Sequence, residues 1–390
     1  MSKSGSDTVR RLAGIILALV LLVLMLSGCY QEQRQVEYIT IGALLPLTGD
    51  SSDEGLRALS ALLLAKSEIN ENGGILGKTL DIIVLNDRGD EEYILEQYRA
   101  LMERDVVAII GSSYSNVTNV LAEAAAVDGI PVISPTASHP AVTLGRPNVF
   151  RATFIDDYQS EAMARFAYNS LGAREALILV NRSNDGFINL TGTFARTFTA
   201  YGGEIVDTIT YSSGDDFREL LLPYADMQNP PDLIYCPEDY IGAAGLLSAV
   251  YELGFSSTKV LGSDAWDGLL RYVFHPEVMR NAYYTTPFSF DDDSPAVARF
   301  VRDYFFTFSQ MPLAGVAPAY TCVYILADAI ERAGGTRREE IVSAMKATEL
   351  DTIIGHIKFD GNNNPRTNIY IITIKDGIYA TYEKLTDWEG

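Results

Sequence analysis

Cysteine, histidine and tryptophan are scarce in this chain of 390 residues, which has three, three and two of them. So few cysteines exclude a disulfide-dense scaffold, and no zinc-finger spacing is present. His139, His275 and His356 lie far apart, beside no cysteine or acid pair of known spacing. Neither a nucleophile with its base nor a metal cluster is therefore called for, and no enzyme activity or cofactor is expected. Basic residues are also few, with 30 Lys+Arg against 51 Asp+Glu and a formal charge of −21. That balance excludes the basic footprint of a nucleic-acid-binding surface and a polybasic membrane face. Low-complexity segments and short repeats are absent. What remains, 47% hydrophobic and 21% charged residues, is globular composition. The length suits two domains or one large one.

Long apolar runs are confined to the N-terminus. Lys3, Arg10 and Arg11 precede the uncharged stretch Leu12–Leu26, and Leu26-Ser27-Gly28-Cys29 stands at its end. A basic start, an apolar core of about 7–15 residues and small residues at the exit make a secretory signal. The stretch is short for a bilayer span, which needs about 20 apolar residues. Leu-Ser-Gly-Cys resembles the bacterial-type lipobox, in which the cysteine becomes the lipidated first residue after cleavage. The alternative is an uncleaved signal anchor with Cys29 incidental. Cleavage before Cys29 removes 28 residues, three cations and Asp7, so 362 residues carrying −23 remain. Residues 30–36 are then a polar spacer between membrane lipid and a folded body. Cys236 and Cys322 stay in that body, where they either pair in an oxidising compartment or, in these apolar contexts, are simply buried.

From residue 39 onward, short β-branched runs alternate with helical periodicity. Ile39–Leu45, Leu80–Leu85, Val106–Ile110 and Ile130–Ser134 read as strands. Between them Leu59–Ile69, Tyr93–Met102 and Asn116–Ala126 read as helices. After residue 157 the pattern restarts, with strands at 176–180, 204–208, 233–236 and 260–261 between helices at 157–171, 188–201, 215–226 and 240–254. Strands alternating with helices of 10–15 residues mean βαβ units and mostly parallel sheets. Two series imply an α/β protein of two doubly wound, Rossmann-like lobes.

Ligands on such sheets bind beyond the carboxyl ends of the strands, where helices begin. Five polar segments occupy those positions: 112–116 (SSYSN), 135–139 (PTASH), 181–186 (NRSNDG), 238–240 (EDY) and 262–266 (GSDAW). Two facing lobes would bring them together around one small polar ligand.

Several stretches resemble the leucine/isoleucine/valine-binding family, the type I periplasmic substrate-binding proteins of ABC transporters. They are Ile41–Gly49 (IGALLPLTG), Glu68–Gly77 (EINENGGILG), Asp87, Ile133–Ser138 (ISPTAS), Phe150–Ala152 with Asp156–Gln159, and Ile354-Gly355 with Phe359–Gly361. Their order and spacing cover about residues 37–385. The resemblance implies venus-flytrap closure of two lobes joined by three crossovers. Lobe one would take 37–155 and 287–356, and lobe two 156–286 and 357–390. It also implies a small amino acid or similar carboxylate as ligand, a membrane ABC permease as partner and a monomeric state. The alternative within the same fold is a ligand-sensing receptor. No second apolar span or output domain follows, which favours transport.

By the same resemblance Ser115, beside Tyr114, would bind the ligand carboxylate. A helix N-terminus holds an anion through its unpaired N–H groups and dipole, although Ser is also an ordinary N-cap. Thr136, Ala137 and Ser138 would add N–H and hydroxyl groups to that carboxylate and a carbonyl to the ammonium. Asp264 would pair with the α-ammonium, since a buried carboxylate needs a cation; its other reading is an Asx turn or cap. The chain departs from the family's pattern where aromatics usually reach the ligand, and has Glu54, Asp185 and Asp239 there. Acids in these places suit a polar or basic ligand side chain, or else belong to the acidic surface. Trp266 is an apolar wall for the ligand or a core aromatic.

Overall fold

The computed structural model describes residues 36–385 apart from residues 50, 51, 226, 228, 229 and 274, and also the single residue 16. Packing sets Met1–Glu37 apart from one unit that begins at Tyr38. The expected signal, lipobox and Cys29 fall outside the described residues. Among the described residues no helix is long and apolar enough to cross a membrane.

The first sheet is wholly parallel, in the order β2-β1-β3-β4-β5. Its strands are β1 (Tyr38–Leu45), β2 (Thr79–Asn86), β3 (Ile109–Ile110), β4 (Val132–Ser134) and β5 (Val149–Arg151). β1 lies inside the sheet and is largely buried, which is why it reads as a mostly apolar run. Helix α1 (Ser52–Glu71) starts seven residues before the apolar periodicity, with Asp53 and Glu54 in its first turn facing the positive dipole end. Its far end is fixed by Asn70, whose side chain donates to Leu80 O at 2.9 Å and accepts from Leu80 N at 2.8 Å. That double bond docks α1 on β2 and accounts for Asn70 in the EINENGG motif. α2 (Tyr93–Met102) and α3 (Ser115–Asp128) complete this half of the βαβ winding.

The chain then crosses to a second sheet of order β14-β13-β10-β9-β8-β6-β7. It contains β6 (Glu175–Asn181), β7 (Glu204–Tyr211), β8 (Leu233–Tyr235), β9 (Lys259–Gly262) and β10 (Ala282–Thr286), with the antiparallel pair β13 (Ile369–Lys375) and β14 (Ile378–Leu385) at one edge. Its helices are α4 (Asp156–Asn169), α5 (Asp185–Ala200), α6 (Phe217–Ala225) and α7 (Tyr240–Glu252). A second crossing returns the chain to the first sheet. There α8 (Pro295–Phe308), α9 (Val316–Ala333), α10 (Arg338–Lys346) and the hairpin β11 (Glu349–Thr352) and β12 (Gly355–Lys358) share a core with Ile41, Leu62 and Phe150. A third crossing leads to β13. Phe150 and Phe359 meet edge-to-face at 5.0 Å, and Asn363 Nδ2 donates to Val149 O at 3.0 Å, so the first and third crossings are tied together. Cys236 and Cys322 are buried and free, in different cores.

Candidate functional site

Both sheets place their first strand between the second and third, so each has a switch point where neighbouring connections leave in opposite directions. In the first sheet it lies between β1 and β3; in the second, between β6 and β8. The crevice beyond such a point is where ligands bind in open α/β sheets.

On the first sheet, α3 begins beyond β3. Tyr114 has extended backbone and no side-chain cap bond, and Thr118 N closes the first turn on Tyr114 O at 2.8 Å. Ser115 is the first helical residue. Its hydroxyl accepts the His139 amide at 3.2 Å, so its own proton is directed elsewhere. Thr136 Oγ1 donates to Ser113 O at 2.9 Å and lies 3.2 Å from Glu54 Oε1. The Tyr114 hydroxyl also binds Glu54, and burial raises that carboxylate's pKa in spite of these two hydroxyls. Glu54 is therefore drawn in from α1 to meet the β3 and β4 loops.

On the second sheet the organising residue is Gln159, which is buried. Its amide donates to Asp264 Oδ1 at 3.0 Å and to Asp156 Oδ1 at 3.1 Å. Its carbonyl accepts from Asp264 N at 3.2 Å and Thr285 Oγ1 at 2.7 Å. Asp264 is thus held by its backbone and its side chain at once. Its pKa is pushed up to about 7, first by burial and then by Asp156, Glu54 and Asp267, all of its own sign. Burial likewise raises Asp156 and Asp267. Ser138 links the halves, since its hydroxyl binds the Asp156 carboxylate and its carbonyl accepts Asp156 N at 3.1 Å.

Four of the expected contact residues have other work in the fold. Asp239 is exposed and caps α7, its carboxylate accepting from Ile241 N and Gly242 N at 2.9 and 2.8 Å. Asp185 is exposed at the start of α5, which Asn184 caps. Trp266 is fully buried in the second core beside Tyr284, so it is a core aromatic and not a ligand wall. Ala137 is 1% exposed; its N–H donates to Ser134 Oγ and its carbonyl accepts from Arg151, so its backbone serves the loop. Ser115, Thr136, Ser138, Tyr114, Glu54 and Asp264 remain at the strand ends. Sequence reading missed Gln159 and Asp156 as members of this group, and Asp267, whose charge acts on Asp264 from beside it. The first two were visible only inside a crossover motif, without a role. Asp267 lies three residues past Asp264 with no pattern to mark it. Among the described residues no cluster of His, Cys, Asp and Glu fits a metal ion.

Two like-wound α/β halves with polar strand-end loops and three crossings define a bilobal solute-binding protein. The match over residues 38–378 shows that this chain belongs to the periplasmic binding protein family. It is 25% identical to a Leu/Ile/Val-binding protein of Rhizobium johnstonii, across 82% of this chain and 87% of that one. A leucine-binding protein of Thermotoga maritima is 28% identical, with 89% of this chain and 98% of that one covered and a TM-score of 0.79. A solute-binding protein of an ABC transporter from R. palustris, solved with benzoate, shares the fold at 22% identity, 90% and 98% coverage and a TM-score of 0.77. The family and these neighbours bind solutes and are not enzymes.

Proposed function

We propose that this chain is a lipid-anchored, extracytoplasmic binding protein. It captures a small amino acid or related carboxylate between its lobes and delivers it to the membrane permease of an ABC transporter. The observation that carries the reading is Asp264. It is a covered carboxylate, held by Gln159, whose strongest charged neighbours are all negative. An ammonium group placed there gains a charge-assisted hydrogen bond and removes the repulsion. Ser115, at the N-terminus of a 14-residue helix, supplies a hydroxyl and a positive dipole end for the ligand carboxylate.

Glu54 refines the ligand. It stands against Thr136 and Tyr114, where an apolar side chain would cover it further and bring no cation to it. A ligand with a polar or basic side chain suits that neighbourhood better than a branched aliphatic one. The lobes are assigned as 37–155 with 287–356, and 156–286 with 357–390. The sequence Leu26-Ser27-Gly28-Cys29 supports the anchor. Closure follows from differential contact, because a ligand touching Ser115 and Asp264 at once stabilises only the arrangement that brings both to it.

A thermal-shift screen of amino acids, short-chain acids and amides tests the reading. Stabilisation by α-amino acids, strongest for polar or basic side chains, is expected. Stabilisation by simple acids alone, or a ligand recovered as hydrolysed product, contradicts it.

A further inference from the structure

We propose that Asp267 and Arg271 form a clasp that holds the two lobes together without touching the ligand. After β9 the chain makes two short turns, Asp264–Trp266 and Leu269–Arg271. Trp266 and Leu269 are both fully buried in the second core, so the segment is rigid on that lobe. Two charged side chains reach from this base to residues of the other half.

Asp267 Oδ2 accepts the amide of Ala314 at 3.0 Å, and the Gly315 amide also donates to this carboxylate. Ala314 and Gly315 lead into α9, of which Gly315 is the cap residue, and Val316 and Ala317 are buried in the first core. An 18-residue helix has unpaired N–H groups and a positive dipole end at its start. Glycine offers no side chain to cap them, and the carboxylate of the opposite lobe takes that place. Burial raises the Asp267 pKa, while Arg57, Arg271 and the two amides act in the other direction. Arg271 in turn pairs with Asp53 in the first turn of α1, and Asp53 also binds Arg57. That ion pair is exposed and contributes little by itself. Asp267, partly buried with two backbone donors, is the stronger half of the clasp.

Both contacts exist only while the lobes are together, and separation returns each partner to water. The clasp therefore sets how much of the protein is binding-competent, and the apparent affinity for any ligand scales with that fraction. Asp267 is a positioning residue in this scheme, distinct from Asp264 three residues earlier.

The test is small-angle X-ray scattering of the ligand-free protein and of Asp267→Ala, followed by titration calorimetry with L-leucine, L-glutamine and L-lysine. The variant is expected to have the larger radius of gyration. Every one of these amino acids that binds should lose affinity by a common factor of about tenfold, the scale of a lost charge-assisted hydrogen bond. Asp267→Asn, which keeps an acceptor for the Ala314 amide, should recover part of the compactness. If Asp267→Ala does not fold, Arg271→Ala should give a smaller expansion in the same direction. An unchanged scattering curve overturns the proposal. So do affinity losses that differ between the amino acids, because they place Asp267 on the ligand. Scattering needs no ligand, so this result is independent of the amino-acid reading above.

Discussion

At the residue scale, the difference between Asp239 and Asp264 shows how one residue type at equivalent strand ends takes different work. Asp239 opens a helix of 13 residues, and its carboxylate is consumed by the first-turn amides. Asp264 opens a turn of three residues, too short to use the carboxylate as a cap, so Gln159 orients it instead. Asp239→Ala should cost about 1 kcal/mol in a denaturant melt, the usual value of a lost N-cap, and leave ligand affinity unchanged. Trp266→Ala should cost about 3–5 kcal/mol while preserving ligand selectivity, because the ring fills core and not cleft. The sequence shows polar residues at each strand end, but not which helix each begins or which face each takes. Helix caps and ligand contacts select for the same residue types there. Gly262 carries a related constraint: a Cβ on it would lie 2.1 Å from a ring carbon of Trp266. No local pattern announces that contact, since it depends on tertiary packing.

At the scale of elements, the strands and helices of the two βαβ series are the most legible part of the chain. Apolar runs locate β1 and β6, because interior parallel strands are buried on both faces. The α2 boundaries coincide with the expected Tyr93–Met102. Boundaries shift where polar contacts decide them. The expected strand Val106–Ile110 is reduced to Ile109–Ile110, although Val107 N already donates to Thr40 O at 3.0 Å. α1 extends back to Ser52 through a polar turn that periodicity does not register, and that extension brings Glu54 to Thr136. The start of α3 is the element on which the proposed anion binding rests. Ser115→Ala should weaken every carboxylate ligand by roughly tenfold in titration calorimetry, while the melting temperature of the ligand-free protein changes little. A comparable loss for neutral amides would remove the hydroxyl–carboxylate assignment.

At the scale of the whole molecule, the −21 charge resolves into a gradient of roles. Much of it is solvated surface, including Asp185 and Asp239. A smaller set, Glu54, Asp156, Asp264 and Asp267, is gathered where the two halves meet, and burial raises the pKa of each. The sign of the pH dependence follows. Asp264 titrates near 7 in the fold against an ordinary value of about 4, so the folded, ligand-free state binds the extra proton. Its contribution to stability is therefore present at low pH and lost as pH rises from about 4 through about 7. Binding runs the other way, because an ammonium ligand needs the ionised carboxylate. Affinity should fall about tenfold per pH unit below about pH 7 and level off above it.

The central claim is that Asp264 is the ammonium site of an amino-acid cleft. The direct measurement is titration calorimetry at pH 8 with the amino acid that most stabilises the protein and with its des-amino carboxylate, on the native chain and on Asp264→Asn. The native chain should prefer the amino acid by about a hundredfold or more, as expected where a buried charge would otherwise lack its partner. In Asp264→Asn that preference should disappear while the des-amino acid binds as before. If the native chain holds both ligands equally, or if Asp264→Asn keeps the preference, the assignment is wrong.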